Sequence, residues 1–496
     1  MANAFSDEYL NKLLTTIIGF PRETEWIELK GNNKDPRKIG QYISALANSA
    51  ALHQQPAGYL AWGVHDSNHS IIGTTFDPET EKVGNERLQA WLLRLTDPHV
   101  EFSFNIFQVS GKRIVLLQVA PALNATIRFE GVEYIRVDSY KKPLKDHSDH
   151  ARRLWRVLDR TTFEDGIAYG QADDDTVLDL IDYASYFDHM DRKLPQNRTG
   201  ILASLAADKL IQKGPTGEWD VTNLGAILWA KTLSSFPTLS RKAVRVVQYR
   251  GKNRVSTVRE QVGVRGYASG FEGIIDYIQN LLPQNEVIGQ ALRTSVPLYP
   301  DLAVRELVAN ALIHQDLTER GTGPMIEIFD DRIEITSPGT PLVEPLRFVD
   351  APPRSRNEAV ASHMRRIGVC EERGSGWDKV ASEIELYQLP APLIEIPEPH
   401  TRVVLLGPRP LKDMDKAEKI RAVYLHSCLR HVTREHTTNT SVRDRFKIEQ
   451  KNSATASRLL NDTVEAGLIT PYDPTAARSQ MRYEPFWAAG DERTSI

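Results

Sequence analysis

Two rhythms of apolar and polar positions run along the chain and divide it into four stretches. In residues 1–150 an apolar stripe at helical spacing covers Phe5–Ile18, and a second, with Ile39, Tyr42, Ile43, Leu46 and Ala47, covers Lys38–Ala51. Between and after them the period drops to two. Trp26–Lys30 and Tyr59–Val64 read as strands, the latter entering a turn at His65–Asn68. Phe102–Val109 and Arg113–Val119 read as a hairpin across Ser110-Gly-Lys112, and Val132–Val137 reads as a further strand. Residues 151–240 are helical and connective, with amphipathic stretches at Asp174–Phe187, Gly200–Ile211 and Thr222–Trp229. In 241–408, strands are expected at Ala243–Tyr249 and Arg402–Leu406, and helices at Phe271–Leu282 and after Pro300. Alternating runs flank Asp330-Asp331, a hairpin signature over Pro324–Phe329 and Arg332–Ile335. Residues 409–496 carry three helical stretches, Lys416–Leu429, Ser441–Phe446 and Ser453–Ala466, the last closed by Gly467, then short strands near Leu468–Thr470 and Met481–Tyr483. The expected class is a multidomain α/β (α+β) protein.

The helix after Pro300 carries the first candidate chemistry. Leu307, Val308, Ala311 and Leu312 form its apolar stripe, while Glu306, Asn310 and His314 recur at i, i+4 and i+8 on another face. A carboxylate and an amide one turn apart can hold hydrated Mg²⁺ and aim a water. Mg²⁺ prefers oxygen ligands and keeps several waters, and the carboxylate can activate one. The same spacing also describes an ordinary amphipathic helix with solvated polar residues.

The motif E-L-V-x-N-A-x-x-H from Glu306 to His314 resembles the N-box of the GHKL ATPases. More narrowly, it resembles the divergent branch in which this box follows an N-terminal Schlafen AlbA-type domain. That resemblance implies ATP as nucleotide, with Glu306 acting on water, Asn310 on Mg²⁺, and His314, Gly339, Gly374 and Gly376 lining the cofactor site. Glu372–Trp377 resembles the second glycine box opening a helix, where backbone N–H groups approach phosphates. One departure is that Ser337-Pro338-Gly339 stands where the family reads adenine with D-x-G-x-G. The lid expected over Thr340–Glu371 brings Arg354, Arg356, Arg365 and Arg366 toward phosphates.

The N-terminal stretch carries a second resemblance. Glu23-x4-Glu28-Leu-Lys30, Ile43–Asn48, Gly63–Asp66, Ile72-Gly73 and Tyr134–Arg136 together resemble the Schlafen AlbA-type domain. In its nuclease-active members three carboxylates bind the metal that cleaves RNA or DNA. The resemblance places Glu23, Glu28 and Asp66 on a Mg²⁺ or Mn²⁺ site, with Lys30 beside the scissile phosphate. Glu28 and Lys30 share a strand face and Glu23 has the opposite parity, so Glu23 joins them only across a bend. The segment Ser49–Gly58 is a longer polar loop where relatives carry Gly-Gly. The alternative is that these acids are solvated and Asp66 starts a turn.

The last stretch is expected to be a winged helix. Asn452, Ser453, Thr455 and Arg458 would enter a groove, with Arg443 and Arg445 on phosphates; a dimerisation module is the other reading. The basic run Lys141, Lys142, Lys145, Arg152, Arg153 and Arg156 either tracks a phosphate backbone or is a solvated helix face. His147 and His150 alone make a weak zinc pair.

Composition narrows this little. The chain has 496 residues, 41% hydrophobic and 25% charged, with room for roughly three or four domains. A net charge of −4 restricts any nucleic-acid surface to a local patch, and two cysteines argue against a disulfide or cysteine-rich zinc scaffold. No apolar run is long enough for a membrane, so a cytoplasmic location is expected. The reading is a nucleotide-regulated, metal-dependent nuclease of RNA or DNA, homo-oligomeric, in bacterial stress or anti-phage defence. The alternative is a non-enzymatic ATP-binding transcriptional regulator binding DNA through its two ends.

Overall fold

The computed structural model describes residues 6–20, 23–123, 125–159, 162–214, 217–288, 293–352, 354–370, 376–477 and 480–488. The chain packs as two compact units, residues 1–177 with 198–223, and residues 178–197 with 224–496.

In the first unit, strand Ile27–Lys30 forms the edge of a four-stranded sheet, parallel to Gly58–Trp62. That strand pairs antiparallel with Lys112–Val119, which pairs with Phe102–Val109. Pleating sends alternate residues to opposite faces, and helices cover both. Ile27, Leu29, Tyr59, Ala61 and Leu116 cluster with Leu10, Leu13, Leu14 and Ile17 of helix Asp7–Ile18. Leu60, Trp62, Val115 and Leu117 cluster with Ile39, Ile43, Leu46 and Ala47 of helix Pro36–Leu52. Asp35 caps that helix by accepting from the N–H groups of Arg37 and Lys38, and Pro36 opens it. The helix runs on to Leu52, through residues expected to begin the polar loop, because Ser49 is buried and its hydroxyl accepts from the Arg136 N–H at 3.0 Å.

The same helix presents a second, polar stripe to another sheet, built from Tyr140–Pro143, Val132–Val137, Arg128–Phe129 and Thr96–Asp97. Ser44 Oγ donates to the Ile127 carbonyl at 2.7 Å and accepts from the Tyr134 N–H at 2.9 Å. The Asn48 amide donates to the carbonyls of Ile127 and Tyr134 at 2.9 and 2.8 Å and accepts from the Ile127 N–H at 2.8 Å. Buried backbone groups need such partners, so this stripe sets where the strand carrying Arg136 lies. A three-stranded sheet, Ile167–Ala172, Trp219–Thr222 and Ile211–Lys213, with helix Arg198–Ala207, completes the unit.

In the second unit a six-stranded sheet runs in the order Thr257–Val262, Arg245–Tyr249, Met325–Ile328, Arg332–Pro338, His400–Leu406, Leu393–Glu395. The expected hairpin across Asp330-Asp331 is its centre, with Ile328 opposite Ile333. Helix Asp301–Ile313 begins after Pro300 and packs on Gly376–Leu386. Glu327 and Glu334, buried in the sheet, are held by Arg254, whose guanidinium donates to both Glu327 oxygens at 2.6 and 2.7 Å and to Glu334 at 3.0 Å. Three helices, Lys416–Val432, Asn439–Phe446 and Ser453–Glu465, and the ribbon Ile469–Pro471 with Tyr483–Pro485 share one core around Val423, Val442, Leu459, Leu460 and Ile469. Val349 and Trp377 belong to that same core.

Asn48→Ala leaves the Tyr134 carbonyl and the Ile127 N–H without their side-chain partner, while Ser44 still serves the Ile127 carbonyl. Each unsatisfied group costs about 1–3 kcal/mol before relaxation, so the variant is expected to lower the stability of the first unit by roughly 2–4 kcal/mol. Urea unfolding followed by circular dichroism measures this, and an unchanged midpoint would mean that water replaces the amide.

Candidate functional site

The chemistry of the first unit starts at the edge strand. Glu28 and Lys30 project onto the face covered by helix Pro36–Leu52, and Glu28 is 2% exposed. Glu23 lies ahead of the strand and folds back onto it through a turn at Glu25-Trp26. Its Oε1 accepts from the Leu29 N–H at 2.9 Å. That turn supplies the bend which opposite parity demanded. Between the two carboxylates sits the guanidinium of Arg136, with no exposed surface. Its Nη2 donates to Glu23 Oε2 at 3.1 Å, and Nη1 pairs with Glu28 Oε2. Lys30 pairs with the other Glu28 oxygen, which also accepts from the Tyr42 hydroxyl at 2.9 Å. Burial pulls the Arg136 pKa down while Glu23 pulls it back up, and an arginine so paired stays charged. Burial, then Glu23, pushes the Tyr42 hydroxyl up to about 12, so it remains a donor.

Asp66 stands apart. It sits in the turn after strand Gly58–Trp62 with its side chain 66% exposed, 3.4 Å from His65 Nδ1. It lines the same cleft of about 1070 Å³ as Glu23, Glu28 and Lys30, but makes no cluster with the two glutamates. The structure brings Glu23, Glu28 and Asp66 to one cleft without joining the three carboxylates in one cluster. Among the described residues no three His, Cys, Asp or Glu side chains are placed to hold an ion. Two carboxylates already neutralised by a buried guanidinium and a lysine do not fit a divalent cation, which would face those positive charges at short range. Glu25, the third acid of this stretch, is also committed: it accepts from the Asp138 N–H at 3.0 Å and pairs with His53. His150 lies 3.8 Å from the same carboxylate.

Of the groups around this cleft, Lys141 stands in the basic run and Tyr42 in the apolar stripe of the sequence, whereas no pattern marks Lys38 or Tyr140. Arg136 was visible only as a charge inside an apolar strand. Lys38, Tyr42, Tyr140 and Lys141 line the cleft, and Arg136 is buried between the two carboxylates without lining it. The Lys141 ammonium sits 4.4 Å from the centre of the Tyr42 ring and donates to Gln41 Oε1 at 2.6 Å.

In the second unit the expected face of the Pro300 helix is present, though not solvated. Glu306 is buried, Asn310 is half-buried, and His314 is the exposed C-cap whose N–H donates to the Asn310 carbonyl at 3.0 Å. Gly376 opens the facing helix directly against the pair. A Cβ there would lie 3.0 Å from Glu306 Oε2 and 3.7 Å from Asn310 Nδ2. Lys379, one turn on, is 3.8 Å from Glu306 Oε1. Gly339 has a φ of +95°, and a Cβ would meet Asp316 Cβ at 2.9 Å, so only glycine suits this turn. Its N–H donates to the Pro399 carbonyl at 2.6 Å. Arg356 donates to the carbonyls of Thr340 and His314 at 2.6 and 3.3 Å, and the Asn357 amide donates to those of Ile313 and Gln315 at 2.8 Å each. Gly374 lies outside the described residues.

The C-terminal candidates divide. Asn452, Ser453 and Arg458 are exposed and Thr455 is half-buried at the start of helix Ser453–Glu465, whose N-terminal turn faces outward. Arg443 donates to Asn439 Oδ1 and Thr440 Oγ1 at 3.1 Å each. Arg445, expected on a phosphate, is instead buried. It donates to the Leu389 carbonyl at 2.6 Å and lies 3.5 Å from Glu385 Oε1, because its helix turns that face toward Gly376–Leu386.

Comparison with known proteins bears on both units. Residues 23–145 match the family model described as "Schlafen, AlbA_2". Residues 321–405 match HATPase_c_4, described as "Putative ATP-dependent DNA helicase recG C-terminal". The second match begins after Glu306 and Asn310 and includes Gly339 and Gly376. No curated protein matches. Among solved structures, the DIP2311 protein of Corynebacterium diphtheriae is similar at 16% identity and a TM-score of 0.42, over 98% of this chain and 99% of that one. The N-terminal domain of a RecG-related protein from Nitrosomonas europaea is similar at 22% identity and a TM-score of 0.18, over 26% of this chain and 89% of that one. The chain joins a Schlafen AlbA_2-type domain to a HATPase_c_4-type domain, an architecture of nucleic-acid-related, ATP-binding type.

Proposed function

We propose that this protein is a nucleotide-responsive nucleic-acid-binding regulator whose AlbA-type domain binds without cleaving. The observation that carries the reading is the burial of Arg136 between Glu23 and Glu28. The carboxylates that would hold a catalytic metal are structural counter-ions here, and the cleft above them is lined by Lys38, Lys141, Tyr42 and Tyr140, with Asp66 and Asp138. Such a surface suits phosphates and bases. The exposed turn of Asn452, Ser453 and Arg458 supplies a second nucleic-acid surface on a winged-helix-like module.

The nucleotide belongs to the second unit. The close approach of Gly376 to Glu306 and Asn310 is the cradle that a side chain would fill, and it fits a phosphate-bearing ligand. Asn310 would hold Mg²⁺, the Gly376 helix start would face phosphates, and Glu306 would orient a water. A bound ATP·Mg²⁺ supplies a phosphoanhydride for that water, and burial keeps the Glu306 carboxylate in place.

A homodimer is part of the reading. The edge strand Thr257–Val262 of the six-stranded sheet is exposed along its whole length, with Val258 46% and Val262 43% exposed. An open edge with apolar side chains is a template for a second copy of itself, pairing antiparallel about a two-fold axis.

Three outcomes are expected. With Mg²⁺ or Mn²⁺, with or without ATP, the wild type should not cut structured RNA, single-stranded DNA or duplex DNA. Glu28→Gln should destabilise the first unit by about 2–4 kcal/mol by leaving Arg136 half-paired, whereas Asp66→Ala should change stability by less than about 0.5 kcal/mol. Metal-dependent cleavage that both substitutions abolish in a folded protein would restore the nuclease.

Calorimetry with ATP and Mg²⁺ should show at least tenfold weaker binding for Asn310→Ala and retained binding without turnover for Glu306→Ala. Two variants that bind and hydrolyse like the wild type would remove the nucleotide site.

Light scattering should give twice the 55.9 kDa of one chain. Val258→Lys should return the monomer, since a charge on an edge strand opposes pairing. A monomeric wild type with and without ATP would reject the dimer.

A further inference from the structure

The lysines of the AlbA-type cleft are unequal in their partners. Lys30 shares Glu28 with Arg136 and with the Tyr42 hydroxyl, so the glutamate pair, Arg136 and Lys30 form a set without net charge. Lys38 and Lys141 lie outside that set, as do Asp66 and Asp138 of the same lining. The contacts of Lys141 are a neutral amide oxygen, at 2.6 Å, and the faces of Tyr42 and Tyr134, at 4.4 and 5.8 Å. None of them cancels a positive charge. Burial first, then Lys38, Lys30 and Arg136 against the opposing Asp35, pulls its pKa down to about 8. An ammonium held near other cations in a half-buried cleft is stabilised by an anion that enters beside it.

The lip of the cleft adds an aromatic surface. The turn at Asp138-Ser139 leads into strand Tyr140–Pro143, and Tyr140 is 67% exposed at that turn, next in sequence to Lys141. Lys142 approaches its ring at 5.8 Å. An exposed tyrosine beside lysines in a concave site is the pairing used to stack a base while holding its phosphate.

We propose that this cleft takes a single strand of RNA or DNA, with a phosphodiester between Lys38 and Lys141 and a base stacked on Tyr140. The proposal rests on the reading of the AlbA-type domain as nucleic-acid-binding and gives that domain its substrate form. A duplex keeps its base faces in its own stack, so it meets the lysines but not Tyr140. A free mononucleotide or phosphate would use the lysines without the continuity of a strand.

The test is fluorescence anisotropy on the full-length protein with a labelled 12-nucleotide RNA, the same DNA and its duplex, and with AMP and inorganic phosphate as competitors. Tyr140→Ala should weaken single-strand binding about tenfold or more and leave duplex binding unchanged, and Tyr140→Phe should restore it. Lys38→Gln and Lys141→Gln should each weaken single strands and reduce the salt dependence by about 0.7 in the log–log slope per lost phosphate contact. All three side chains reach the surface of the cleft, and thermal melts check that the four variants fold. Equal losses on single strand and duplex, or no loss in any variant while the wild type binds, would overturn the inference and leave nucleic-acid binding standing. A wild type that binds no strand would overturn both. Displacement of the strand by inorganic phosphate at low millimolar concentration, with Tyr140 variants indifferent, would make the site one for free phosphate and overturn the strand.

Discussion

A guanidinium with no exposed surface must be matched by anions, and in the first unit that requirement organises much else. Removing one partner of such a buried pair costs about 3–5 kcal/mol, so Glu23 and Glu28 are both bound to Arg136. Arg136 in turn is held by its backbone, whose N–H reaches Ser49 on the helix Pro36–Leu52. Ser44 and Asn48 pin the neighbouring strand residues to the same helix. The helix is pinned by its apolar face to the four-stranded sheet that carries Glu28. The circuit from strand to helix to strand and back through the ion pair closes on itself. Glu23 and Glu28 are thereby fixed by pairs that reach across the unit.

Much of this architecture is legible in the sequence because it is local. The period-two runs flanking Asp330-Asp331 became the central hairpin, and the helix after Pro300 formed with Glu306 and Asn310 on one face. The Schlafen AlbA-type and GHKL-like motifs found counterparts in the two family matches. What escaped is non-local. Glu23 and Arg136 are 113 positions apart, and no spacing rule reports their contact. Arg445 has the composition of a phosphate contact and the burial of a core residue, which only the packing of its helix on Gly376–Leu386 decides. Asp66 fell on the right turn, but a turn residue's direction is set by the loop that follows and not by parity.

The two units answer the question of charge differently. In the second, Glu327 and Glu334 lie in the sheet with Arg254 over both, and Arg332 and Arg402 also pair with Glu334. In the first, Glu23 and Glu28 balance Arg136 and Lys30, and the cleft above them carries Lys38 and Lys141 together with Asp66 and Asp138.

The helix Gly376–Leu386 touches both ends of the second unit's chemistry. Its first residue abuts Glu306 and Asn310, and Trp377 is part of the core shared with the C-terminal helices. Near its far end Glu385 holds His426 at 3.0 Å and Arg445 at 3.5 Å. Eleven residues make a rod about 15 Å long. A rigid rod pivoting by ten degrees at Gly376 sweeps its other end through roughly 3 Å. Packed side chains do not absorb such a sweep by compression, so Glu385 would carry the helices bearing His426 and Arg445 along with it. One helix thus touches the Glu306–Asn310 pair at its first residue and the C-terminal helices near its last.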